Sequence, residues 1–184
     1  MSRWSDATQE RAREFISRYP EKKSAVMPLL YLAMAEEGHL TNEGMEEVAD
    51  WCGMTPAQVQ SVASFYTMLK KQPTGKYLFQ VCHTLSCALR GADALVEMLE
   101  GKLGIQCGET TEDGMFTLSE VECLAACVNA PVAWIGDDFY EDLDGPAMTK
   151  LLDDVAAGKA KPGPQVKRQT SAPVSGAKTL KKGA

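Results

Sequence analysis

The 184-residue chain has no apolar run approaching the ~18–20 residues that a bilayer-spanning helix needs, which sets membrane insertion aside. Its start, Met1-Ser-Arg-Trp-Ser-Asp6, carries neither a hydrophobic core nor a small-residue cleavage site, so no export signal is expected there. G-x-G-x-x-G is absent and the glycines are scattered at turns, so neither a nicotinamide nor a flavin site is expected on this chain. C-x-x-C is absent too, which disfavours thiol–disulfide exchange. No internal repeat is visible. Residues 158–184 contain no aromatic and no acid, only seven basic side chains among Pro, Gly, Ser and Ala: Lys159, Lys161, Lys167, Arg168, Lys178, Lys181 and Lys182. Such a stretch buries too little apolar area to offset the entropy of ordering it, and is expected to be flexible unless a partner orders it.

What remains is an ordinary globular composition, with 45% hydrophobic and 24% charged residues. Net charge is −6 overall, but removing the basic tail leaves 12 basic and 25 acidic side chains in residues 1–157, a net of −13. A body that negative repels phosphate backbones, which argues against nucleic-acid binding.

Residues 1–69 carry helical spacing throughout. Ala12, Phe15, Ile16 and Tyr19 share one face, and Pro20 closes that segment. A second helix is expected to start within Ser24–Pro28, to carry Leu29, Leu30, Ala33 and Met34, and to stop near Gly38. Met45, Val48, Ala49 and Cys52 define a third, closed by Gly53. Thr55-Pro56 then caps a fourth, expected to bury Val59, Val62, Ala63 and Tyr66. Stripes this narrow should pack together as a four-helix bundle.

The polar stretch 70–76 reads as a linker, and beyond it the period changes. Tyr77–Cys82 has strand composition, and Leu89–Leu103 is helical through Leu95, Val96 and Leu99. Asp113-Gly114 marks a hairpin-type turn between Thr110-Thr111 and Met115–Leu118, Pro131–Ile135 is an apolar strand, and Gly145–Ala157 is a last helix. Residues 77–157 thus read as a compact α/β domain, giving an α+β chain of bundle, linker, α/β domain and basic tail (158–184).

Four of the six cysteines carry the chemistry. Cys82 and Cys87 form C-x4-C after the first strand of the α/β domain; Cys123 and Cys127 form C-x3-C after the strand near Leu118. Two short-spaced pairs at matching element ends suit a tetrahedral sulfur site or a small iron–sulfur cluster. Disulfides would need an oxidising compartment. Structural zinc takes the same four ligands, but usually on small, polar, turn-rich loops. Here Val81, Leu85, Ala88 and Leu89 flank one pair, and Val121, Leu124, Ala125, Ala126 and Val128 the other, so a water-poor surround and a [2Fe–2S] cluster are expected. Thr84 and Ser86 offer donors to the sulfurs.

These residues carry a resemblance. Pro73-Thr-Gly-Lys-Tyr-Leu-Phe-Gln-Val-Cys-His-Thr-Leu-Ser-Cys-Ala-Leu-Arg-Gly91 and Val121-Glu-Cys-Leu-Ala-Ala-Cys-Val-Asn-Ala-Pro131 resemble the two cluster loops of the E-type subunits of NADH-quinone oxidoreductase (respiratory complex I). Asp137-Asp-Phe-Tyr-Glu-Asp-Leu143, Met27-Pro-Leu-Leu-Tyr-Leu and Val62-Ala-Ser-Phe-Tyr-Thr-Met are similar to further segments of that family. The resemblance spans about residues 10–157. One departure is Ala125, where family members usually carry glycine.

The resemblance implies a thioredoxin-like domain behind the helical bundle, with one [2Fe–2S] cluster on Cys82, Cys87, Cys123 and Cys127. It implies electron transfer from reduced FMN, with FMN and NADH held on a neighbouring F-type subunit and with an iron–sulfur protein, the G-type subunit, in the same complex. The implied location is cytoplasmic, peripheral to the inner membrane. Related subunits serve NAD-reducing hydrogenases and NAD-dependent formate dehydrogenases, so a diaphorase host is the alternative. Lys161-Pro-Gly-Pro-Gln165, Thr170-Ser-Ala-Pro173 and Thr179-Leu180 are similar to the extension of some complex I versions. The acidic body predicts a reduction potential near or below about −400 mV.

Other marked residues read more plainly. His83 is expected to lie outside the ligand set or to be exposed, and His39 needs no role. Cys52 belongs to a helical stripe and Cys107 to a short strand, both as reduced core residues. Asp137, Asp138, Glu141, Asp142 and Asp144 read as a solvated or partner-facing loop without calcium-loop spacing. Met45–Leu69 has helix-turn-helix proportions, but its second helix offers Gln58, Gln60, Ser61 and Ser64 and no cation before Lys70, a poor phosphate anchor.

Overall fold

Four helix starts are set by a side chain that accepts an otherwise unpaired backbone N–H: Ser5 from Thr8, Thr41 from Gly44, Thr55 from Gln58, and Asp144 from Ala147. At Thr55 the Gln58 side chain reaches back to the cap N–H, completing a capping box ahead of Pro56. A computed structural model describes residues 3–166. The chain divides into two units, Met1–Thr74 and Gly75–Ala184.

The first unit contains α1 (Asp6–Ser17), a 3-10 turn (Lys22–Ala25), α2 (Val26–Glu37), α3 (Asn42–Cys52) and α4 (Pro56–Phe65). Gly38 and Gly53, both left-handed, end α2 and α3. Ala12, Leu29, Leu30, Ala33, Val48, Ala49, Val59 and Ala63 form one core. Trp4 stacks on Trp51 with ring centroids 6.0 Å apart. Two expected stripe positions fail. α1 stops at Ser17, so Tyr19 lies past the helix and is 40% exposed. α4 stops at Phe65; Tyr66 turns extended (φ −95°, ψ 110°) and leaves the buried face.

The second unit is built on a five-stranded sheet. Its elements are β1 (Tyr77–Cys82), α5 (Leu85–Leu89), α6 (Ala92–Leu103), β2 (Phe116–Val121), β3 (Ala133–Ile135), β4 (Asp138–Glu141), α7 (Gly145–Ala156) and β5 (Gly163–Pro164), with strand order β2-β1-β3-β4-β5. β1 pairs with β2 in parallel, which requires the helical crossover between them, and with β3 antiparallel. Phe79, Val81, Leu99, Leu118, Met148 and Leu151 fill the core. Gly75 lets the entering chain lie against β2: a Cβ there would sit 2.9 Å from the Phe116 carbonyl carbon. Its N–H donates to Thr117 Oγ1 at 2.6 Å.

Four expectations are corrected in this unit. The helix read as Leu89–Leu103 is two, because Gly91 takes φ 92° and breaks the run. Cys107 lies in a turn between α6 and β2, where its N–H donates to Glu100 Oε1, and not in a strand. The acidic run is a solvated loop only in part: Asp137, Asp138 and Asp144 are exposed, but most of the run is built into the fold. Asp138–Glu141 is β4, Glu141 accepts from Asn129 Nδ2, Asp142 is 5% exposed, and Asp144 caps α7. Finally, the tail is fastened at its beginning: β5 pairs in parallel with β4, and the Gln165 N–H donates to the Glu141 carbonyl. The rest of the expected tail, 167–184, lies outside the described residues. Among the described residues no helix is long and apolar enough to cross a membrane.

Candidate metal centre

Parallel pairing of β1 with β2 sets Cys82 opposite Val121, so the segments leaving both strands emerge at the same end of the sheet. The His83 N–H donates to the Val121 carbonyl at 3.1 Å, and the Cys82 N–H to the Val132 carbonyl at 3.0 Å, tying three segments together there. Thr84 is the residue before α5, and Cys87 lies on that helix. Cys123 follows the end of β2, and Cys127 opens a 3-10 turn, Cys127–Asn129. The long stretch of intervening chain is thus folded away by the crossover.

All four expected ligands meet, as two pairs. Cys82 and Cys87 are 1% and 2% exposed and pack with Ala92, Ala130 and Val132. Cys123 and Cys127 are exposed, their sulfurs 3.5 Å apart. Thr84 bears on both pairs: its hydroxyl lies 3.2 Å from Cys82 Sγ and helps to draw the Cys123 thiol down. The Ser86 hydroxyl favours ionisation of Cys127 in the same way. Both hydroxyls were legible in the sequence as donors; that Thr84 serves both loops was not.

Each pair holds one thiol that ionises easily and one that does not. Burial opposes ionisation of Cys82, but hydrogen bonds from the Thr84 hydroxyl, the Leu124 and Thr84 N–H groups and Cys87 outweigh it and lower its pKa. Burial first, and then Cys82, pushes Cys87 up to about 12. In the second pair the Ala125 N–H, then Cys127 and Thr84, draw Cys123 down, while Cys127 is raised chiefly by its bond to Cys123. Within each pair, then, one thiol loses its proton before the other. Charge on one pair is felt by the other, since Cys127 raises Cys87 and Cys82 raises Cys123.

The donor set, four thiols in two pairs, fits a binuclear cluster. Among the described residues no three His, Cys, Asp or Glu side chains converge tightly enough for a single ion. Tetrahedral zinc with Zn–S near ~2.3 Å would require every sulfur–sulfur separation to be near ~3.8 Å. Two thiols per loop, paired within each loop and in electrostatic reach across them, suit a binuclear cluster.

The surround departs from expectation. Val81 is buried, and Leu124 and Ala126 pack against Cys82 and Cys87, but Leu85, Leu89 and Val128 are 75%, 78% and 63% exposed, so only part of the flanking apolar surface covers the sulfurs. His83 is no more than half-buried, its Nε2 3.6 Å from Glu122 Oε1. The residue that sequence reasoning undervalued is Ala125. It takes φ 61°, and its N–H donates to Cys123 Sγ at 3.3 Å. The signal was its departure from the glycine that the resemblance leads one to expect there.

Comparison with known proteins agrees with this geometry. Residues 12–156 match the family model described as thioredoxin-like [2Fe-2S] ferredoxin. The chain is 46% identical over 143 residues to the second E-type subunit of NADH-quinone oxidoreductase from Rhizobium meliloti (strain 1021), covering 78% of this chain and 85% of that one. It is 43% identical over 182 residues to the mitochondrial NADH dehydrogenase [ubiquinone] flavoprotein 2 of Dictyostelium discoideum, covering 95% of this chain and 74% of that one. A solved NAD+-reducing [NiFe]-hydrogenase in its air-oxidized state superposes with a TM-score of 0.61 at 22% identity, over 71% of this chain and 23% of that one, a likeness of fold alone. By the extent of the family match and the identity to these relatives, the chain belongs to the thioredoxin-like [2Fe-2S] ferredoxin family.

Proposed function

We propose that this chain is an electron-transfer subunit of an NADH:quinone oxidoreductase, holding one [2Fe–2S] cluster on Cys82, Cys87, Cys123 and Cys127. The observation that carries the reading is the meeting of two thiol pairs from separate loops, close enough for the charge of each to be felt by the other. When bound, the cluster supplies a one-electron acceptor beside a two-electron flavin. The chain's own residues do the rest. Cys82 and Cys123 present the more readily ionised sulfurs, Thr84, Ser86 and the Ala125 N–H orient them, and Ala92, Ala130 and Val132 keep water from the first pair. Cys123 and Cys127 stand open to a neighbour, and short distance to that neighbour is what electron transfer needs.

That neighbour is taken to be the FMN- and NADH-binding F-type subunit, with the iron–sulfur protein of the G type in the same assembly. NADH oxidation, quinone reduction and translocation belong to the assembly, and this chain then lies peripherally at the inner membrane on its cytoplasmic side. Identity of 46% to a quinone-oxidoreductase subunit, against 22% to the hydrogenase chain, favours this host over a diaphorase. The test is anaerobic purification with metal analysis, paramagnetic resonance and identification of co-purifying chains. About two irons per chain, a one-electron signal on reduction and a flavin-containing partner are expected. A colourless protein with zinc and no iron would overturn the reading.

A further inference from the structure

Ala125 and Asp142 are the two described residues other than glycine with positive φ (61° and 53°), and Ala125 alone lies between two of the four thiols. An L side chain is disfavoured in this left-handed region, because Cβ crowds the following carbonyl. Yet the bend there has two consequences that no other residue of the loop supplies. Before the bend, the Ala125 N–H points at Cys123 Sγ, 3.3 Å away. After it, the chain doubles back, so that Cys127 Sγ lies 3.5 Å from Cys123 Sγ. The neighbouring Ala126 takes φ −104° and ψ 37°, so the left-handed step falls on Ala125. The pair itself is exposed and lies outside the helices and strands, with Cys127 only opening a 3-10 turn, while Leu124 and Ala126 on either side of Ala125 pack inward.

We infer that Ala125 is the positioning residue of the second thiol pair: its left-handed backbone sets the Cys123–Cys127 spacing, and its N–H tunes the Cys123 sulfur. The tuning half rests on the function proposed above. An N–H donor stabilises the extra negative charge that sulfur carries after a one-electron reduction, and so raises the potential. The spacing half does not depend on iron. It also follows that alanine here is a strained choice, and that glycine would keep the bend while removing the strain.

Three variants separate these effects: Ala125→Gly, Ala125→Val, whose β-branched side chain rejects this conformation, and Ala126→Gly as a control for loop flexibility. In the metal-free chain, diamide oxidises Cys123 and Cys127 to a disulfide; two thiols give up two electrons and two protons to the azo group as the S–S bond forms. Mass spectrometry of this step should show at least tenfold slower bridging in Ala125→Val and no slowing in Ala125→Gly. In the iron-loaded chain, release of iron to a chelator should be several-fold slower than wild type in Ala125→Gly, and faster in Ala125→Val. A dithionite titration with mediators should leave the Ala125→Gly potential in place. It should lower that of Ala125→Val so that the reduced fraction at fixed potential falls about tenfold, or ~59 mV for one electron.

Equal bridging rates in wild type and Ala125→Val would overturn the positioning role, as would equal gains in iron retention from Ala125→Gly and Ala126→Gly. An Ala125→Val chain that bridges slowly but titrates at the wild-type potential overturns the tuning role. Slow bridging in Ala125→Val from a protein that never takes up iron leaves the positioning role standing and removes the function proposed above.

Discussion

Cys82 and Cys87 are 1% and 2% exposed, one at the end of the strand between β2 and β3 and one on α5, whereas Cys123 and Cys127 are exposed in a stretch whose only regular feature is a 3-10 turn. The first pair is placed by packing against Ala92, Ala130 and Val132; the second by a backbone bend and an N–H to sulfur. Burial makes ionisation expensive, and so Cys87 is pushed up to about 12, while exposed Cys123 is drawn down by hydrogen bonds alone. A site assembled this way has one anchored wall and one open wall. The open wall is where an electron partner can approach, and the outward Leu85, Leu89 and Val128 offer it apolar surface.

The largest expected effect would erase the contrast. Cys82→Ala and Cys127→Ala should each abolish the iron–sulfur spectrum while the circular dichroism of the helical unit persists. A variant of either loop that keeps the native spectrum would show that its loop is dispensable. The next effect sharpens the contrast. With iodoacetamide on the metal-free chain near pH ~7.5, Cys123 should be modified first, being both exposed and lowered in pKa. Cys87, buried and raised, should react at least about a hundredfold more slowly, together with Cys52, which burial pushes up to about 11. Comparable rates at Cys123 and Cys87, read by peptide mass spectrometry, would contradict the anchored-and-open arrangement.

A third effect is pH dependence of loading. Thiols must lose their protons to bind iron, and Cys87 and Cys127 hold theirs in the metal-free pairs. Their pKa values are raised, so the protonated form dominates across neutral pH and each must release a proton to the metal. Affinity should therefore climb as pH rises from about 6.5 to about 8.5, by up to about tenfold per unit for each proton released. A chelator competition that gives a flat profile would mean that the thiols are already ionised.

How much of this was legible in the sequence depends on what made each element. α2, α3 and α4 are written in spacing and caps, because Leu29, Leu30 and Ala33, then Met45, Val48 and Cys52, then Val59 and Ala63 stand at helical spacing, while Gly38 and Gly53 mark ends and Thr55 a start. The two cysteine pairs are legible because ligand spacing is local. β4 is not: Asp138, Phe139, Tyr140 and Glu141 have no strand alternation, and only pairing with β3 and β5 makes them one. β5 is two residues in a Pro- and Gly-rich stretch, defined by the sheet edge it meets. The dry pocket was only half legible, because residue type gives no direction. Leu85 and Leu89 stand four apart on one side of α5, and that side faces outward. The sharp bend at Ala125 has no local sequence signature, since alanine gives no hint of positive φ.

The smallest effect concerns stability without metal, and it isolates packing from ligation. Cys87 fills space among Cys82, Ala92, Ala130 and Val132, so removing its sulfur by Cys87→Ala leaves a void that rigid neighbours only partly close. A loss of about 1 kcal/mol is expected for a group of that size. Cys127 has little around it, and Cys127→Ala should leave the denaturation midpoint of the metal-free chain where it was. Both variants lose the same ligand chemistry, so any difference between their urea midpoints at equal slope reports the packing of the wall alone. Were the two midpoints equal, the first pair would be no better anchored than the second, and the raised pKa of Cys87 would need a cause other than burial.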